Sequence, residues 1–327
     1  MKICVFGAGS VGGFVAASLA HAGGHEISAV ARGAQLAAAK SRGLTVRIGG
    51  REFTTPVRAT GDPAELGVQD IVLVTLKAPA IGGAASALKS LIGPETAVAF
   101  LLNGIPWWYH YGEGGSNDGA PLNRLDPGGA IWSAITPQRV IGGVAYCSAT
   151  VVEPGTINID YPEIRFDFGE PDGAMSSRLA ALVDAMNAAG LTSFATPNIR
   201  ERIWSKLVLN MATGPMAILS GHALGDLLAT EPPRHAVRQM LGEGLAITEA
   251  LGLNVSLDVE QVLAKLARSR HKPSILQDLE AGRPMEIDGI YVVPLEIARA
   301  RGVPTPMLDV FVGLARLRAR AAGLYHE

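Results

Sequence analysis

The hexapeptide Gly7-Ala8-Gly9-Ser10-Val11-Gly12 follows the apolar run Ile3-Cys4-Val5-Phe6 and opens onto an Ala-rich, helix-favouring stretch over residues 14–22. A strand, a G-x-G-x-x-G turn and a helix together form the opening of a dinucleotide-binding unit. Gly7 permits the tight turn, Gly9 lets a pyrophosphate approach the backbone, and Gly12 lets the helix lie close on the strand. Ser10 and Val11 lie in the same turn, where free N–H groups and the positive end of the helix macrodipole face phosphate. The competing reading is a tight strand-to-helix turn that holds no ligand.

Alternation continues beyond this turn. Residues 27–31 read as a second strand and 34–41 as a helix. Residues 44–48 and 51–57 flank Gly49-Gly50 as a hairpin. The apolar runs 71–76 and 97–102 suit central parallel strands, with a helix over 81–91 between them. Residues 107–129 lapse into Gly, Asn, Asp and Pro, a long loop. Then 139–153, 156–160 and 164–168 read as β-structure, 175–189 as an amphipathic helix and 191–195 as a last strand. After Thr196-Pro197-Asn198 the pattern is helical, over 199–219, 233–251, 257–269, 287–301 and 307–322. The expected fold class is α/β: an N-terminal Rossmann-type doubly wound sheet over residues 1–196, followed by an all-helical domain over 197–327. The cleft between such domains is the default place for a substrate.

Composition excludes several alternatives. A net charge of −2 leaves no footprint for nucleic acid. No apolar stretch reaches the roughly 18–20 residues of a membrane span. Met1-Lys2 could open a secretory signal, but the glycines interrupt its apolar run, so a cytoplasmic location is expected. Cys4 and Cys147 lie in apolar runs and read as buried free thiols. No His/Cys cluster has metal-ligand spacing, so no metal is expected.

The second strand ends Val30-Ala31-Arg32-Gly33, without the acid that would bind the ribose hydroxyls of NAD. Arg32 offers a planar cation suited to a 2′-phosphate, which favours NADP; a solvated loop arginine is the alternative. Lys77 and Asn103 each follow a strand at the same edge, although Asn there is also ordinary turn chemistry.

With these residues in order, the chain resembles the ketopantoate reductase family, NADPH-dependent reducers of a 2-oxo acid to a 2-hydroxy acid. The resemblance spans nearly the whole length. It rests on the glycine hexapeptide, Arg32, Lys77, Asn103-Gly104, Lys206-Leu207-Val208-Leu209-Asn210, Ser274-Ile275-Leu276-Gln277-Asp278 and Met285-Glu286-Ile287-Asp288. It implies that Lys206 is the catalytic general acid and Glu286 the acid that assists it. Asn103, Asn210 and Ser274 become contacts to substrate or nicotinamide; Gly7, Gly9, Gly12, Arg32 and Lys77 become cofactor positions. The implied partner is a small 2-oxo acid, with ketopantoate the expected substrate. The family includes dimers, so a homodimer is the assembly the resemblance allows.

The chemistry of the residues agrees. Hydride delivery to a ketone creates an alkoxide, which needs a proton or a cation as it forms. Lys206 and Asn210 are four residues apart and share a helix face. Trp204 and Leu207 bracket the lysine with apolar surface, which would lower its pKa, while an ionised Glu286 nearby would oppose that shift. Each residue also has a plain structural reading. Lys206 would be a solvated surface charge, Ser274 the cap of an S-x-x-Q box, and Glu286 with Asp288 favourable charge at a helix start.

Two positions depart from the family pattern. Gly214 stands where a second asparagine is common, four residues beyond Asn210. Trp107-Trp108-Tyr109-His110 follows Asn103-Gly104-Ile105-Pro106 and reads either as the lining of a larger pocket or as a plug anchoring the loop. These departures keep a related NADP-dependent hydroxy or amino acid dehydrogenase open as an alternative. A non-catalytic NADP(H) sensor is the reading from a different class; it would need the glycines but no proton donor.

Overall fold

A computed structural model describes every residue except Pro162, His271 and Glu327. The chain forms two compact units, Met1–Leu102 with Trp107–Ile199, and Asn103–Pro106 with Arg200–Glu327.

The first unit begins β1 (Lys2–Phe6), α1 (Ser10–Ala22), β2 (Glu26–Val30), α2 (Gly33–Arg42), β3 (Leu44–Ile48), β4 (Arg51–Thr55) and β5 (Arg58–Thr60). It continues with β6 (Ile71–Val74), α3 (Ala78–Lys89), β7 (Ala97–Leu101), α4 (Ala130–Ile135) and β8 (Val140–Tyr146). It ends with β9 (Ala149–Glu153), β10 (Thr156–Ile159), β11 (Arg165–Gly169), α5 (Ser177–Ala188) and β12 (Ser193–Ala195).

Eight strands form one sheet in the order β12-β11-β8-β7-β6-β1-β2-β5. From β8 to β5 all neighbours are parallel, while β11 is antiparallel to β8. Strands β6 and β7 are buried along their whole length, which is why they read as unbroken apolar runs. The winding reverses between β1 and β6, so the crevice past their C-terminal ends is where this topology binds a ligand.

The sequence reading did not separate out the second sheet. Its order is β4-β3-β10-β9, with the hairpin β3–β4 turning at Gly49 and Gly50, both at positive φ. Strand β10 joins it by pairing parallel to β3. These strands are only four or five residues long and β9 is largely exposed, so their pattern carried no information about which sheet they enter. Helix α1 packs against β1 and β2 of the main sheet and against the second sheet. Gly13 lies close against the second sheet, where an added Cβ would be 2.9 Å from Ile157 Cδ1.

The loop after residue 106 starts with three buried aromatics, Trp107, Trp108 and Tyr109. Trp107 meets Phe100 and Trp132 edge-on at centroid distances of 5.6 and 5.9 Å. The Trp108 ring lies over Gly142, where an added Cβ would be 2.6 Å from it. This is the loop-anchoring plug, not a pocket lining.

The second unit contains α6 (Ile199–Ser220, its first residue belonging to the first unit), α7 (Leu224–Leu228), α8 (Glu231–Ala250) and α9 (Val259–Leu266). After α10 (Ser274–Glu280) comes a π-helical turn, Asp288–Val292, that runs into α11 (Val293–Ala300); α12 (Pro306–Ala321) ends the unit. A single helix was expected over 287–301; its first turn is instead π-helical, a local widening often found at functional sites. Glu243 of α8 accepts from the backbone N–H groups of Met307 and Leu308 at 2.9 and 2.8 Å, satisfying two free donors at the start of α12. Among the described residues no helix is long and apolar enough to cross a membrane.

Cys4 is fully buried in β1. Cys147 lies just beyond β8 and is only half-buried, against the expectation of two buried thiols.

Candidate active site

The two groups of residues singled out in the sequence fall in different units. In the first unit Gly7 follows β1 with φ 113°, a conformation that favours glycine. The N–H groups of Gly7 and Ala8 donate to the carbonyl of Val30 at 3.0 and 3.1 Å, which ties the turn to the end of β2. An added Cβ at Gly12 would collide with the carbonyl oxygen of Gly7 and with Thr75 Oγ1. Thr75 Oγ1, one residue past β6, itself donates to the Gly7 carbonyl at 2.7 Å and fixes the turn. Sequence reasoning missed this threonine, which there was only the polar member of an apolar run.

Gly9 differs from its neighbours, since an added Cβ there would meet nothing within 4 Å. The glycine is exposed and caps α1 without a side-chain hydrogen bond, and the first turn of α1 contains no acid. The helix therefore presents uncapped N–H groups beside open space, with Ser10 and Val11 half-buried at its start. Arg32, two residues beyond Val30, is exposed, and its side chain makes no hydrogen bond or ion pair among the described residues. Lys77 is half-buried at the N-cap of α3. An uncapped helix end, a bare glycine and a nearby arginine form a donor set that fits a dinucleotide carrying an extra phosphate.

In the second unit, three of the predicted residues meet. Lys206 Nζ donates to Asn103 Oδ1 at 2.8 Å, and Asn103 Nδ2 donates to Glu286 Oε2 at 3.2 Å. An amide between an ammonium and a carboxylate has one satisfying orientation, oxygen to the cation and NH2 to the anion. Lys206 and Asn103 are half-buried, whereas Glu286 is only 6 % exposed. The apolar bracket is present too: Trp204 and Leu207 are buried on either side of the lysine in α6.

Asn103 lies two residues beyond the end of β7, yet residues 103–106 belong to the second unit. The reason lies in Gly104 and Ile105. Ile105 N–H donates to the Gly289 carbonyl at 2.7 Å, and any Cβ at Gly104 would collide with that same carbonyl. Only glycine, here at φ 77°, allows the segment to lie so close to the π-helical turn.

Asn210 and Ser274 do not join this hydrogen-bonded group. Asn210 is half-buried one helical turn beyond Lys206. Ser274 is exposed as the first residue of α10, a helix whose N-cap is Pro273 and which has no side-chain cap bond. The S-x-x-Q capping box is thus not formed; the Gln277 side chain donates to the Lys272 carbonyl at 2.9 Å instead. His110 Nδ1 pairs with Glu113 Oε1 at 2.8 Å within its own loop.

Tyr291 also escaped the sequence reading. It is 1 % exposed, and its hydroxyl occupies the space where a Cβ at Gly214 would go. Burial, helped by the negative charge of Glu286, pushes its phenol pKa above the usual range. Nothing in Gly289-Ile290-Tyr291-Val292 marks the tyrosine as more than a core residue.

The description Ketopantoate reductase PanE/ApbA matches residues 3–110, and Ketopantoate reductase PanE/ApbA C terminal matches residues 198–319. The chain belongs to the ketopantoate reductase family. Among relatives in that family, a 2-dehydropantoate 2-reductase of Mesorhizobium japonicum is 43 % identical over 99 % of this chain and all of its own length. The crystal structure of 2-dehydropantoate 2-reductase from Methylococcus capsulatus is 28 % identical, with a TM-score of 0.82 and 98 % of each chain covered. A D-mandelate dehydrogenase solved with NADH and anilino(oxo)acetate shares the fold at 21 % identity, with a TM-score of 0.81 over 99 % of this chain and all of that one.

Proposed function

We propose that the protein reduces ketopantoate (2-dehydropantoate) to pantoate, with NADPH as hydride source and Lys206 as proton donor. The observation that carries this reading is the chain Lys206–Asn103–Glu286, a cation steered by an amide that a carboxylate holds in place. The full-length likeness to a 2-dehydropantoate 2-reductase supports the substrate.

The cofactor would lie on Gly7, Gly9, Ser10, Val11 and Gly12, with Arg32 and Lys77 toward its charged groups and Asn103 toward its nicotinamide. When bound, it supplies the hydride. The rest belongs to the protein. Negative charge grows on the substrate oxygen as its carbonyl carbon becomes tetrahedral, and the Lys206 ammonium meets that charge and gives up a proton. Asn103 holds Nζ in one direction, so little reorganisation is needed at the moment of transfer. Glu286 acts one bond further out by fixing the amide, while Asn210 and Ser274 are the side chains assigned to the substrate's remaining polar groups. Residues 1–196 then serve the cofactor and 197–327 the substrate, with Asn103 the exception contributed by the N-terminal stretch.

We assign the enzyme to the cytoplasm and to a homodimer. Support for the dimer is the stripe Val310, Leu314 and Leu317, exposed along one side of α12. The deciding experiment is the loss of NADPH absorbance when purified protein is mixed with ketopantoate. Oxidation well above the substrate-free rate is expected; none with ketopantoate would overturn the reading.

A further inference from the structure

Lys206, Asn210 and position 214 recur every four residues and form one stripe on α6. At the third position there is no side chain, and a hydroxyl from another element fills the space. Tyr291 Oη lies where the Cβ of residue 214 would be, and Ile275 Cγ2 lies 3.3 Å from the same point.

This hydroxyl is buried and makes no hydrogen bond among the described residues. A buried polar group without a partner is costly, and native proteins keep one where a ligand or water completes it. The tyrosine is also firmly presented. Its π-helical turn is tied by the Ile105 N–H bond to Gly289 and by Tyr325 Oη donating to Asp288 Oδ1 at 2.7 Å.

We propose that Tyr291 is a specificity-determining residue whose hydroxyl hydrogen-bonds the hydroxyl group of a hydroxylated 2-oxo acid, in place of a side chain at position 214. The choice of a neutral hydroxyl over the substrate carboxylate follows from Glu286. Its charge reaches Tyr291 and would repel a second carboxylate there, and a phenol held protonated can both donate to and accept from an alcohol. The proposal rests on the ketopantoate reading, since it needs a substrate with such a hydroxyl.

The test compares ketopantoate with trimethylpyruvate, which differs only in having hydrogen where ketopantoate has the hydroxyl. Tyr291→Phe should raise KM for ketopantoate by about 10-fold and leave KM for trimethylpyruvate within about twofold, collapsing the preference. Equal losses on both substrates would mean a structural role and overturn the proposal. No change on either would mean that water completes the hydroxyl, and would overturn it too. A wild-type enzyme that reduces ketopantoate while the variant keeps the full preference defeats this inference alone. A wild-type enzyme inactive on ketopantoate defeats the functional reading and this inference with it.

Discussion

Lys206 reaches Asn103 across 103 positions of sequence, and their 2.8 Å hydrogen bond aims the ammonium. If that ammonium is the proton source, Lys206→Ala should lower kcat by about 10² to 10⁴. Binding of NADPH, followed by its fluorescence, should stay near the wild-type level. Near-normal turnover would remove Lys206 from the chemistry.

Asn103 and Lys206 should act as one unit. Asn103→Ala removes the acceptor from Nζ and the donor from Glu286, so we expect a loss of roughly 10- to 100-fold in kcat/KM. In the double variant with Lys206→Ala the loss should barely exceed that of Lys206→Ala alone. Additive losses measured in the full cycle would show that the two residues work independently.

Two glycines of one turn should fail in different ways. Gly12→Ala puts a methyl group into the Gly7 carbonyl and Thr75 Oγ1, and should destabilise the fold by about 1–3 kcal/mol, seen as a lower Tm. Gly9→Ala meets nothing within 4 Å and should leave Tm unchanged while weakening NADPH binding. The same Tm for both variants would contradict the geometry.

Arg32 should separate the two nicotinamide cofactors. Arg32→Ala loses a charged donor worth about 1.5–3 kcal/mol at a phosphate, so KM for NADPH should rise roughly 10- to 100-fold. KM for NADH, which lacks that phosphate, should hardly move. A matching rise for both cofactors would place Arg32 elsewhere.

Alkaline pH should expose the cost of burying Cys4. Burial pushes its thiol from an ordinary 9.0 up to about 12. In the unfolded chain the thiol loses its proton first, so the folded state binds more protons and stability falls as pH rises. The contribution is intact below about 9 and disappears between about 9 and 12. Cys4→Ala should therefore give a shallower fall of Tm over that range, and an equally steep fall would exclude Cys4 as a cause. In the native protein at neutral pH, iodoacetamide should modify the half-buried Cys147 ahead of Cys4.

The main sheet and the glycine turn were legible because each residue there answers to local geometry: Gly7 to its φ, Gly12 to the neighbouring strand, β6 to burial on both faces. The lysine and glutamate were legible through the order of several motifs, not through any local pattern. What stayed hidden depends on contacts between distant residues. Asn103 reads as the end of a strand, and only the close fit of Gly104 on Gly289 takes it into the second unit. Tyr291 is silent in an apolar run, and the bare backbone at Gly214 that receives it lies 77 positions earlier. The pairing of β3 with β10 is hidden for the same reason, since Thr45 and Thr156 give no sign of each other.

That last pairing governs the order in which the protein can be built. Helix α1, which carries the glycine turn, is seated on Ile157 of β10, a strand the ribosome delivers more than a hundred residues later. Until then that flank of the helix rests on β3 and β4 alone, and the β3 edge is open. A nascent chain ending at residue 110 would hold every predicted phosphate contact and still lack the part of the helix's seat that β9 and β10 provide. The ability to grip a cofactor should thus arrive late in translation, and abruptly, although its residues are among the first to be made.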